Sequence, residues 1–214
     1  MKQIANELRR ILYLPWIPVT LAAVLGFLIF YFCKLYSGQD GQSSLLFLLC
    51  DRKYFGILYA LLALFIFGLD VESGAVDAHI MAGQSIASVV LRKTLIYFSV
   101  VIILSGIYSA VCIHVCDIAF AGAWKTLLIR LLLDIGTAAI FIPLQFIFRA
   151  LQPAMIINSV AAVVFIIAAA PKYEIWYAVI GGSAVPAIKI TAAAAAIIVM
   201  PLLAVLCGTK GEWK

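Results

Sequence analysis

The chain has 214 residues, 66% of them hydrophobic and 12% charged, with a formal charge of +5 and a mean hydropathy of +1.16. Water-soluble domains carry roughly 25% charged residues, so this composition excludes an ordinary soluble fold and makes a bilayer the expected solvent. The apolar runs are long and continuous rather than short and alternating, which excludes a membrane β-barrel in favour of spanning helices of about 20 residues.

At the start of the chain, Ile4, Leu8, Ile11 and Leu12 repeat at helical spacing while Lys2, Asn6, Arg9, Arg10 and Tyr13 fall on other faces. This pattern predicts an amphipathic interfacial helix over 1–14; the alternative is the snorkelling start of one long helix. Pro15 and Pro18 follow, and proline interrupts a helix because it lacks the N–H and crowds the preceding turn, so the surface helix can turn into a first span. No small-residue cleavage site precedes a soluble domain, and a cleaved signal peptide is not expected.

Hydropathy predicts six transmembrane helices, about Pro18 to Cys33, Tyr54 to Leu69, Leu95 to Val115, Thr126 to Phe148, Ala154 to Ala170 and Lys189 to Cys207. With the N-terminus inside, Lys2, Arg9, Arg10, Arg92, Lys93, Arg149, Lys210 and Lys214 lie on the inner side, against Lys34, Arg52, Lys53, Lys125 and Lys172 outside. That bias predicts both termini in the cytoplasm of a plasma-membrane protein, and it reads the positive charge as a topology signal rather than as nucleic-acid binding. The expected fold is all-α, a polytopic membrane protein forming one transmembrane domain over 1–214.

The outer loop from Lys34 to Lys53 has no signature of a folded domain. The interval 70–93 is different: it brings three carboxylates, a histidine and a basic pair between two apolar runs. Asp70, Glu72 and Asp77 are expected near the inner end of a span, solvated by water and headgroups, with Glu72, Asp77 and His79 displayed to the cytoplasm. Gly74 and Gly83 permit turns, and Arg92 and Lys93 mark the return to the bilayer. A connection of this length without proline, retaining Val76, Ile80 and Met81, reads as a docking helix followed by a turn.

Further along, Cys112, His114 and Cys116 invite a metal reading, but on a helix His114 points roughly 200 degrees from Cys112, so three ligands do not converge and no metal site is expected. The five cysteines have no zinc or haem spacing, and a disulfide is open without support. Arg130 and Asp134 are four residues apart on one helical face. Two readings stand for them: groups acting in a transport path, or a local salt bridge that neutralises itself, with Arg130 snorkelling toward Trp124 and Lys125. Gly136, Thr137, Pro143 and Gln145 predict a bend and close packing in the same span, and Ala192 to Ala196 a small-residue packing surface in the last. Between them, 172–186 carries Tyr173, Trp176 and Tyr177, then Gly181, Gly182 and Pro186, as an outer re-entrant or interfacial segment. Lys189 follows at the outer end of the last span.

The interval 70–93 resembles the membrane subunit of ABC exporters of the ABC-2 (type V) class, whose first cytoplasmic loop has an acid, the element Glu-Ser-Gly-Thr, a Ser-Arg pair and a closing lysine. Glu72-Ser73-Gly74-Ala75 matches with alanine for threonine, Gly83-Gln84-Ser85-Ile86 with isoleucine for arginine, and Lys93 closes at the expected spacing. Asn6 to Arg10 is similar to the family's opening, and six spans with both ends inside is its plan. The resemblance implies that 70–93 forms a coupling helix, with Glu72, Gly74, Asp77 and His79 on or beside it, fitting a cleft on a separate ATPase subunit. It also implies a second permease copy or paralogue, ATP and magnesium held by the partner ATPase rather than by any cofactor site here, and an outer segment that shapes the exit. This chain has no Gly-x-x-x-x-Gly-Lys-Ser/Thr loop to cradle phosphates, so it is not expected to be an enzyme itself.

A membrane-embedded enzyme would need a convergent acid, base or metal set, and only two histidines are present. A proton-coupled secondary transporter using Arg130, Asp134 and Lys189 is the alternative, although no internal repeat is visible. Small outer loops and apolar walls suit an amphipathic or hydrophobic cargo, by family analogy an antimicrobial peptide.

Overall fold

A computed structural model describes residues 16–36, 54–115, 120–147, 151–168 and 185–210. The expected interfacial helix over 1–14, most of the outer loop and all but the last two residues of the outer segment 172–186 lie outside the described residues. Among those described there is no strand, and five helices are long and apolar enough to cross a membrane: Trp16–Lys34, Phe55–Glu72, Ile86–Val115, Leu127–Ile147 and Ile190–Thr209. The chain is therefore a membrane-embedded helical protein.

In chain order the helices are α1 (Trp16–Tyr36), α2 (Phe55–Ala63), a π-helical turn (Leu64–Gly68), α3 (Leu69–Glu72), α4 (Ala75–Met81), α5 (Ile86–Val115), α6 (Phe120–Ala139), α7 (Phe141–Ile147), α8 (Leu151–Ala168) and α9 (Val185–Lys210). Each long helix buries one stripe. In α1 the buried positions are Ile17, Leu21, Leu25, Leu28 and Phe32, at helical spacing, while Val19, Phe27 and Phe30 face outward, where hydrocarbon can solvate them. Span two is the axle, with 72% of its apolar window buried against 11% for Ile190–Thr209. Among the described residues span two therefore packs mostly on protein, while the last span leaves most of its surface uncovered.

One expectation changes. The third span's helix begins at Ile86, nine residues before Leu95, because hydropathy registers the start of the hydrocarbon while the helix starts at its cap: the Ser88 N–H bonds the Ser85 hydroxyl at 3.2 Å. The expected fifth span overlaps α8, in which Pro153–Val164 is the apolar stretch among the described residues.

The expected bend and close packing of span four are present. α6 stops at Ala139 and α7 starts at Phe141, four and two residues before Pro143, whose missing N–H and ring disrupt the turn before it. Gly136 lies hard against α9: a Cβ there would stand 2.6 Å from the Ala193 Cβ and 2.7 Å from its Cα, so the helices approach as only glycine permits.

Candidate functional site

Chemistry-bearing residues gather at both ends of span two. At the end reached through Glu72, the chain leaves the helix by a built stop. Gly74 adopts the left-handed conformation (φ 70°), its N–H bonds the Val71 carbonyl at 3.4 Å, and the Ser73 hydroxyl donates to the Asp70 carbonyl at 3.4 Å. Glu72-Ser73-Gly74 is thus a helix terminator. The two-turn helix α4 follows, held down by Val76 at 1% exposure. It ends in a Schellman closure on Gly83 (φ 83°), with Gly83 N–H bonded to the Ile80 carbonyl at 2.9 Å and Gln84 N–H to the His79 carbonyl at 3.1 Å. Arg92 donates to the Gln84 side-chain oxygen at 3.3 Å, fastening the turn to α5.

Of the residues expected to be displayed here, Glu72 is exposed, but Asp77 and His79 are half-buried. Asp77 sits in the first turn of α4, where the helix dipole favours a carboxylate, and its buried Oδ1 has no hydrogen-bond partner among the described residues. The outermost side chain is Met81, at 84% exposure, with Ala78 and Ala82 beside it.

Asp70 and Lys93 depart furthest from expectation. Neither meets water or headgroups: each is 1% exposed, and the Lys93 ammonium donates directly to Asp70 Oδ2. The cause is register. The π-turn inserts a residue into span two before Asp70, and the early start of α5 puts Lys93 on its inward face, so the two ends of the interval are bolted together inside the bundle.

At the far end of span two, Arg130 and Asp134 form an ion pair, Nε to Oδ2 3.4 Å, with exposures of 1% and 0%. Arg130 does not snorkel toward Trp124. Its guanidinium lies between the rings of Phe55 and Tyr108, 4.8 and 4.7 Å from their centres, and these faces with Asp134 hold it inside. Ser105 donates to Asp134 Oδ2 at 2.6 Å. Beside Ser105 a groove of about 630 Å³ runs between α5 and α6, lined also by Ser109, Gly106, Leu127, Leu128 and Trp124.

One face of α5 joins the two ends. Lys93, Tyr97, Val101, Ser105, Tyr108 and Cys112 form its buried stripe, and the Tyr97 hydroxyl lies 3.0 and 3.1 Å from the carbonyls of Tyr59 and Ala138. Lys189 belongs to α9, but its side chain lies outside the described residues. Cys112 is buried and His114 exposed, so the two do not face a common point; Cys116 lies outside the described residues. Among the described residues Cys33, Cys112 and Cys207 are not joined in a disulfide.

No protein-family model, curated protein or solved structure matches the chain. Its function has to be argued from this geometry. Sequence reasoning picks out Asp70 as a solvated carboxylate at the inner end of a span and Lys93 as the closing lysine of a motif, but misses that they are partners. The signal available was their charge in a chain so poor in charge.

Proposed function

We propose that this chain is the membrane subunit of an ATP-driven exporter of the ABC-2 (type V) class, working with a separate ATPase subunit and a second permease copy or paralogue. The observation that supports it best is the construction of 74–83. A two-turn helix closed by left-handed glycines at both ends and pinned by Val76 is a shaped element between two spans, not a slack linker. On this reading Glu72, with Asp77, His79 and the exposed Met81 nearby, meets a cleft on the ATPase, ATP and magnesium stay on that partner, and both termini of this chain lie in the cytoplasm. An amphipathic or hydrophobic cargo, such as an antimicrobial peptide, suits the apolar groove between α5 and α6.

The test is to purify the chain from its native membranes in mild detergent and identify its companions. A stoichiometric protein with a phosphate-binding loop, whose ATPase activity depends on this chain, is the expected result. A chain that stays alone at physiological salt would overturn the reading. A second reading, proton-coupled transport through Asp134, draws support from the buried Ser105–Asp134–Arg130 arrangement beside the groove. Substrate movement in sealed vesicles driven by a pH gradient without ATP, and abolished in Asp134→Asn, would favour it instead.

A further inference from the structure

Span two is not a uniform helix. It runs as α-helix to Ala63, as a π-helical turn over Leu64–Gly68, and as α-helix again to Glu72. A π-turn takes up one more residue than an α-turn, so everything beyond it is rotated by about 100 degrees relative to an uninterrupted α-helix. Asp70 is the second residue past that turn. Its meeting with Lys93 and the presence of the π-turn are therefore one arrangement: restoring α-geometry over Leu64–Gly68 would swing the carboxylate away from the ammonium.

The surroundings of the turn are built for close approach yet not fully satisfied. Gly68 ends it, and a Cβ there would stand 2.9 Å from Leu64 Cδ1 and 3.0 Å from Gln145 Oε1, so Gln145 of α7 reaches in over the glycine. That Oε1 is buried without a hydrogen-bond partner, as is the hydroxyl of Thr94, the residue after Lys93. Buried polar atoms left unpaired are uncommon in a stable interior, and Gln145 Oε1 stands at the π-helical turn of the most buried span among those described. The charges on either side close the ring of contacts: Asp70 belongs to the segment that the π-turn re-aims, and Lys93 to the helix that carries Tyr97 and Ser105 deeper into the bundle.

We propose that Asp70 and Lys93 are positioning residues that latch a two-position joint in span two. In the latched position, seen here, the π-turn is present and the loop 74–83 is rigidly tied to α5. When the ion pair parts, Leu64–Gly68 relaxes to α-geometry and Leu69–Glu72 turns with the loop. The joint stands on the geometry alone; that a partner ATPase pulls it through α4 rests on the exporter reading above. By this route a pull on the loop becomes a rotation inside the membrane rather than a rigid displacement of the whole bundle.

The test is amide hydrogen exchange on the full chain in lipid nanodiscs, comparing wild type with Lys93→Arg and with the double variant Asp70→Asn/Lys93→Met. The double variant leaves no buried charge unpaired, so a pair that only stabilises the fold would be replaced with little effect. For a latch, exchange over 64–73 should rise about tenfold in the double variant while 95–112 stays protected, and Lys93→Arg should behave as wild type. Wild-type exchange over 64–73 in the double variant overturns the proposal, as does acceleration spread evenly over the bundle. The readout needs no partner, so its result is independent of the exporter reading. A purified ATPase companion with an unlatched wild-type profile would sink the joint alone, and a working joint without a companion would sink the exporter reading alone.

Discussion

Among the described residues two buried ion pairs sit at opposite ends of span two and differ in what they join. Arg130–Asp134 closes within one helix, four residues apart, and is wrapped by Phe55, Tyr108 and the Ser105 hydroxyl. Asp70–Lys93 closes across 23 residues and two spans, around the whole polar interval. A pair within one helix can neutralise itself wherever that helix goes. A pair between helices fixes how they sit, so its loss changes the shape of the bundle as well as its stability.

The largest effect is expected from removing one member of the interhelical pair. Lys93→Met leaves the Asp70 carboxylate buried and uncompensated, at a cost of about 3–5 kcal/mol, whereas Asp70→Asn/Lys93→Met together should recover most of the loss. Thermal unfolding in detergent of the two single variants and the double checks this; a double variant no better than the singles would mean the two charges do not depend on each other.

The helical pair should break asymmetrically, which sharpens the contrast. Arg130→Met strands the Asp134 carboxylate in the interior with the Ser105 hydroxyl donating to it, and is expected to cost about 3–5 kcal/mol. Asp134→Asn leaves Arg130 with two aromatic faces, each worth about 2 kcal/mol when desolvated, and should be the milder by a clear margin. Equal losses in the same unfolding measurement would argue that the rings contribute little and that the carboxylate alone retains the guanidinium.

The contrast also explains what could be read in advance. Arg130 and Asp134 were legible because their spacing is a property of one helix, and Gly136 and the alanines around Ala193 were each legible as close-packing surfaces, but not that they meet each other. The direction of Arg130 was not, because Phe55 and Tyr108 arrive from two other helices. Nor was the Asp70–Lys93 partnership: it depends on a register change at Leu64–Gly68 that no local pattern announces, and on a helix that starts at its serine cap while the hydropathy is still polar. Ser73-Gly74 and Gly83-Gln84-Ser85 were recognised as a motif, and their physical role turns out to be ending one helix, closing a second and capping a third.

A smaller effect is expected where neither pair is involved. Gly136→Ala sets a methyl 2.6 Å from the Ala193 Cβ, and because the next nearest atoms are backbone the helices must separate, at about 1–3 kcal/mol. Pairing it with Ala193→Gly should return part of that loss. Were Gly136→Ala as stable as wild type, α6 and α9 would have to be free to slide apart, and the last span would be held more loosely than the rest.

Glu72→Lys should have the smallest effect on stability and the most selective effect on function. The side chain is exposed at the end of α3, two residues beyond the buried Asp70, so its replacement is expected to change unfolding by no more than about 0.5 kcal/mol. On the exporter reading the same substitution reverses a charge on the surface offered to the ATPase, and combined with Asp77→Lys it should abolish chain-dependent ATP hydrolysis in the purified complex. Asp77 is half-buried, so the single Glu72 variant separates docking from folding more cleanly than the double. Normal coupling in Glu72→Lys, together with a stable protein, would move the contact to the apolar side of α4 around Met81, which a Met81→Lys variant measured in the same assay would then decide.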